Sequence, residues 1–157
     1  MVSIEANDRQ RELLGREDEA WTRMWEQVER IPVDQRTDAG VVGDWSVKDL
    51  VWHCAEWADF CGRHLDLMRA GSWIDPFASE TDEHWDRVNQ DIADRSKTMA
   101  WADVAAGAAS ARERVRTAIA TLVAVDDVAA EWFAEETFLH YDEHAAQIAA
   151  FADARTR

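Results

Sequence analysis

The sequence predicts an all-α protein, four helices around one core. Only two prolines and six glycines punctuate 157 residues. The segments between them carry apolar residues at helical spacing, and none sustains the alternation of a strand. With 47% hydrophobic residues, the chain can fill a core without disulfides or a structural metal. Its length fits one domain over residues 1–157.

In the first helix, Leu14, Trp21, Trp25 and Val28 share one face, and Pro32 marks the end. A loop with Gly40 and Gly43 follows. Ser46-Val47-Lys48-Asp49 then reads as a helix start, with Ser46 as N-cap and Asp49 at the third helical position, a variant of the capping box. The second helix turns Leu50, Cys54, Trp57, Cys61, Leu65 and Met68 inward and stops at Gly71. Residues 71–98 hold Pro76, many charges and a short amphipathic piece with Trp85, Val88, Asn89 and Ile92. So long a connection suits a crossover along the bundle. The third helix, about Trp101 to Leu122 with Thr98 as cap, buries Val104, Ala108, Ala111, Val115, Ile119 and Leu122. The fourth begins after Asp126-Asp127 and carries Phe133, Thr137, His140, His144, Ile148 and Phe151 on one stripe.

Composition narrows the partners. Thirty-two acidic against seventeen basic residues leave a formal charge of −15, and no basic stripe offsets it. Such a surface repels phosphate backbones and anionic lipid, so neither nucleic acid nor membrane is expected to bind. No apolar run approaches the ~20 residues of a membrane span, and Met1–Asp8 lacks the plan of a signal peptide. A cytoplasmic protein is expected. Cys54 and Cys61 are two turns apart on one helix, roughly 10 Å between Cα atoms, too far to bond each other. Both read as small buried apolar residues.

Chemistry concentrates in three histidines. His140 and His144 are four residues apart on an inward stripe, so their imidazoles stack on one face. His53 lies on the inner face of the second helix, four residues before Trp57. Three neutral imidazoles make the tripod of many catalytic zinc sites, with a fourth position left for water or substrate. Nickel or iron would accept the same set. The competing reading is three core histidines that bond backbone carbonyls. Asp49, Glu56 and Glu136 stand one turn away as carboxylates able to orient a ligand. His64 and His84 read as surface residues. No Gly-rich phosphate loop, Ser-His-Asp pattern or CxxC motif is present.

Gly43-Asp44-Trp45-Ser46-Val47-Lys48-Asp49-Leu50, followed by His53 and Trp57, and His140-Tyr141-Asp142-Glu143-His144 resemble the DinB-like superfamily. That superfamily includes the N-terminal domain of mycothiol-dependent maleylpyruvate isomerases. The resemblance covers about residues 4–154. It implies an up-down-down-up four-helix bundle with a divalent metal held by His53, His140 and His144, and a dimer. It also implies thiol transfer or isomerisation of a small electrophilic substrate with a low-molecular-weight thiol such as mycothiol. Val41-Val42-Gly43-Asp44-Trp45, with Trp85, Asn89 and Ile92, is also similar to the ClbS/DfsB branch, which protects its producer from a reactive metabolite. The chain departs from that branch at His144, where the branch carries a small residue. Binding or hydrolysis of a reactive metabolite is thus the second expectation, and a non-catalytic bundle the third.

Overall fold

A computed structural model describes residues 4–156; Met1–Ser3, part of the N-terminal segment read above, lie outside it. Six α-helices form: α1 (Ile4–Glu29), α2 (Val47–Ala70), α3 (Asp82–Ser96), α4 (Trp101–Ala120), α5 (Asp127–Ala134) and α6 (His140–Arg155). A single π-turn, Glu135–Leu139, joins α5 directly to α6. No strand occurs among the described residues, only an isolated bridge between Val42 and Trp45. No described helix is long and apolar enough to cross a membrane.

The polar contacts between helices set their directions. Arg9 pairs with Asp127 (2.8 Å), Arg23 with Asp142 (2.9 Å) and Arg30 with Asp153, so α1 and the last helical stretch run parallel. Trp52 packs at Gly107 and Asp59 pairs with Arg114, so α2 and α4 also run parallel. Between these pairs the order reverses. The Gln10 amide donates to the Ile119 carbonyl (3.0 Å), whereas Trp25 stacks near Trp101 at 5.9 Å. The Cys61 thiol approaches the Trp132 carbonyl, whereas His53 meets His140. The bundle is therefore up-down-down-up, as the resemblance implies. Gly107 lets α2 and α4 close together: a Cβ there would stand 2.7 Å from the Trp52 ring.

The connection between α2 and α4 is more ordered than the sequence suggests. What reads as a short amphipathic piece is a full helix, α3, capped by Thr81 and packed antiparallel on α2. Asn89 accepts the Trp57 indole N–H (2.9 Å), and Ser96 donates to Asp49. The crossover is thus a helix that covers the outer side of α2. Thr98 does not cap α4; its hydroxyl donates back to the Arg95 carbonyl (3.2 Å), and Ala100 holds the cap position without a side-chain bond. α4 ends at Ala120, and Leu122 packs into the core from the turn beyond it.

The buried face of α1 is rotated from the stripe read in the sequence. Leu13, Glu17, Ala20, Met24 and Val28 are buried, whereas Leu14, Trp21 and Trp25 only pack against the core edge. Indoles are large enough to reach the core from a flank. Glu17 is fully buried because Arg112 grips it through two bonds (2.8 and 3.1 Å) and Arg116 adds another. A charge so buried is tolerated only when paired this completely.

α2 starts where the sequence places it. Ser46 Oγ accepts the Asp49 N–H (3.2 Å), and Asp49 Oδ2 accepts the Ser46 N–H (2.8 Å), a complete capping box. Just before it, the Trp45 N–H closes a turn onto the Val42 carbonyl (2.9 Å) with Gly43 at φ +55°, a left-handed backbone that glycine adopts without strain. This turn lays Trp45 beside His53, ring centroids 5.2 Å apart. Lys48 is buried too and donates to the Met99 carbonyl (2.8 Å), tying the α3–α4 junction to α2.

Asp49 serves the cap, Ser46 and Ser96 together, so its loss should cost more than loss of Ser46. Ser46→Ala should destabilise by about 1 kcal/mol. Asp49→Ala should destabilise by about 2 kcal/mol or more, since buried donors lose their acceptor. Urea unfolding of both variants checks the order.

Candidate metal centre

Each histidine reaches the centre from a different local constraint. His53 lies in the second turn of α2, held by the capping box and the Trp45 turn. His140 is the first residue of α6, immediately after the π-turn, and His144 follows one turn on. The π-turn inserts extra backbone into the last helix, and the Thr137 hydroxyl donates to the Phe133 carbonyl within it. Such insertions re-aim the side chains that follow them, and they gather at functional sites.

One ring nitrogen from each of His53, His140 and His144 lies within 4.8 Å of the others, the only such group of potential ligands among the described residues. The ring centroids form a near-equilateral triangle: 4.8 Å for His53 and His140, 5.2 Å for His53 and His144, 4.7 Å for His140 and His144. His53 Nε2 and His140 Nε2 face each other at 2.9 Å. Two nitrogens on one tetrahedral ion stand roughly 3.3–3.4 Å apart at ordinary Zn–N lengths. That pair lies a few tenths of an ångström inside a coordination edge, whereas the triad as a whole spans up to 4.8 Å and would tighten onto an ion.

Apart from this His53–His140 contact and one bond to Gln147, the protein leaves the ring nitrogens of the triad without partners. His144 Nδ1 is 2.6 Å from Gln147 Oε1, a pure acceptor, so Nδ1 carries the proton and Nε2 keeps its lone pair. His144 Nε2 has no protein partner, nor do His53 Nδ1 and His140 Nδ1, although all three atoms are buried. Core histidines that merely satisfied themselves on backbone carbonyls would leave no such set. The three-histidine donor set fits a divalent ion.

Electrostatics point the same way. Burial, then the neighbouring His144, pushes the His53 imidazole down to about 3. Burial, His144 and His53 hold His140 well below the usual histidine range, and burial lowers His144 despite the Gln147 bond. All three are neutral at pH 7, the form that ligates metal.

The surrounding carboxylates do not serve the histidines as expected. Asp49 is consumed by the helix cap and Ser96, and Glu56 faces Arg95 at 3.4 Å. Glu136 makes no bond to His140; burial and neighbouring Glu135 push its carboxyl up to about 8. The residue that orients one of the three histidines is Gln147, three positions after His144, which polar surface composition conceals. His64 and His84 are both half-buried. His64 packs between Phe60 (4.3 Å) and Trp132 (5.0 Å) and accepts the Trp73 indole N–H at 3.1 Å. His84 lies against Trp85, 3.5 Å from Glu80. Cys54 and Cys61 are free and buried, and burial drives both thiols far above the usual thiol range.

These shifts act on stability in opposite directions. In the unfolded chain each histidine takes up a proton near 6.5, whereas the folded triad refuses it. In the metal-free protein the contribution of the triad to stability should therefore be full above pH 6.5 and be lost progressively as pH falls toward 3. Glu136 behaves inversely: the folded state holds a proton up to about 8 that the unfolded chain releases near 4.5. Its contribution is full at low pH and fades as pH rises through 8. Urea unfolding in chelator should show an acid limb that shrinks in His53→Leu. It should also show an alkaline limb that disappears in Glu136→Gln.

Comparison with known proteins places this geometry. The family model of the DinB superfamily matches residues 17–151, from the middle of α1 to near the end of α6. Searches of curated proteins and of solved structures gave no significant match. The match spans most of the chain and contains all three histidines, so the chain belongs to the DinB superfamily, whose members are typically metal-binding.

Proposed function

We propose that His53, His140 and His144 hold one divalent ion, zinc first among the metals that fit. We propose further that the protein is an enzyme that transfers or isomerises a small electrophilic molecule with a low-molecular-weight thiol such as mycothiol. The observation that carries this reading is the convergence of three buried, neutral imidazoles that find hydrogen-bond partners only in one another and in Gln147. A bound dication would stabilise a thiolate and polarise an electrophile.

The chain's own residues prepare that chemistry. Gln147 fixes the tautomer of His144. Trp45 and Trp57 flank His53, at 5.2 and 6.3 Å between centroids, and keep water from its ring. α3 holds Trp57 in place through Asn89. Neither cysteine can supply the sulfur, because both thiols are buried and held protonated. The thiol must then come from solution.

Elemental analysis should find one divalent ion per chain, with affinity lowered at least tenfold in each of His53→Ala, His140→Ala and His144→Ala, since two imidazoles make an incomplete tripod. Metal content unchanged in all three variants would contradict the site. For the chemistry, adduct formation on a model electrophile should require both metal and added thiol and survive the Cys54→Ala/Cys61→Ala double variant. A metal-dependent rate without thiol would replace transfer by hydrolysis. Stoichiometric binding without turnover would favour the self-protection reading.

A further inference from the structure

A second cleft lies beyond the aromatic wall of the triad, and nothing in the metal chemistry uses it. It has a volume of about 450 Å³, within the range of small-molecule pockets, roughly 300–1,000 Å³. Its apolar lining is Trp73, Phe77 and Trp132. Trp73 and Trp132 meet as a corner, centroids 5.7 Å apart and planes at 86°, and Phe77 adjoins Trp132 at 5.3 Å. Trp73 has spent its indole N–H on His64, so what it can still offer is its π face.

Asp75, Glu131, Glu135 and Glu136 complete the lining. None pairs with an Arg, Lys or His among the described residues, although most guanidinium groups in the chain do find a carboxylate. Unpaired carboxylates are unremarkable on the surface of so acidic a chain. Here, however, Glu136 is turned partly inward, where burial and Glu135 push its carboxyl up to about 8. The four do not converge as metal ligands, since the only convergent group among the described residues is the histidine triad. They ring a cavity instead of a point. A bare divalent ion is thus the wrong occupant, and an organic cation with an apolar body is the right one. Its charge would be met by Asp75, Glu131, Glu135 and the π faces together, Glu136 holding its proton at neutral pH, and its apolar part by the rings.

We propose that this cleft, lined by Trp73, Phe77 and Trp132 and rimmed by Asp75, Glu131, Glu135 and Glu136, is a binding site for a small organic cation, an alkylated or aromatic amine. The inference does not depend on the metal reading. The negative field of the molecule would steer such a ligand toward the site.

The test is calorimetric titration with benzyltrimethylammonium, beside benzyl alcohol, benzoate and magnesium as controls. The cation should bind saturably below about 1 mM. It should bind at least tenfold tighter than benzyl alcohol, while benzoate and magnesium leave the cleft untouched. Glu131 and Glu135 are exposed, so the Glu131→Gln/Glu135→Gln double variant should keep its helical circular dichroism and weaken the cation about tenfold. Phe77→Ala, at a partly exposed ring, should weaken it several-fold as well. Chelator and His140→Ala should leave the affinity unchanged, which separates this site from the triad. Equal affinity for benzyl alcohol, indifference to the double variant, binding that vanishes with chelator, or no saturable binding would each overturn the proposal.

Discussion

Keeping three imidazoles neutral and away from water, with one nitrogen of each within 4.8 Å of the others, is the constraint around which this bundle is organised. Desolvation is the leading cause that lowers the proton affinity of each ring. It also deprives their nitrogens of the solvent partners that would otherwise satisfy them. The fold bears that cost by ordering the backbone on both sides. The capping box of α2 and the Gly43 turn hold one side, and the π-turn before α6 holds the other. A dication is the natural partner for lone pairs held in this way.

The far side of the core solves a related problem by other means. Glu17 is as buried as any residue in the chain, but Arg112 and Arg116 reach it from α4 and fix α1 against α4. Tyr141, adjacent in sequence to His140, is buried toward this side, and its ring contacts Trp21 at 5.5 Å. The two polar centres differ in how they are closed. One is closed by guanidinium groups, whereas the other has no counter-charge from the protein.

Much of this was legible in the sequence. The i, i+4 spacing of His140 and His144, the Ser46 cap and the inward stripe of α2 follow from helical period and capping chemistry alone, and each reappears in the structure. Other features were hidden for identifiable reasons. A π-turn has no residue signature, so Glu135–Leu139 read as ordinary helix. The burial of Glu17 leaves no local mark in the sequence, because its partners are about a hundred residues away in the chain. Tryptophans on the flank of α1 outweighed the smaller Ala20 and Met24 that make its true inner face. Asp49 sits one turn before His53 and invited a role at the metal, but the helix start claims its oxygens first. His64 looked solvent-facing because Trp73 and Trp132, which enclose it, come from other segments.

The central claim is that three imidazole nitrogens, and no cysteine sulfur, form one coordination site. X-ray absorption at the metal edge of the loaded protein addresses the ligands themselves. The account predicts nitrogen scatterers at about 2.0–2.1 Å, with the outer-shell pattern of about three imidazole rings. A sulfur scatterer near 2.3 Å in the thiol-free protein, or a shell without imidazole, would contradict it.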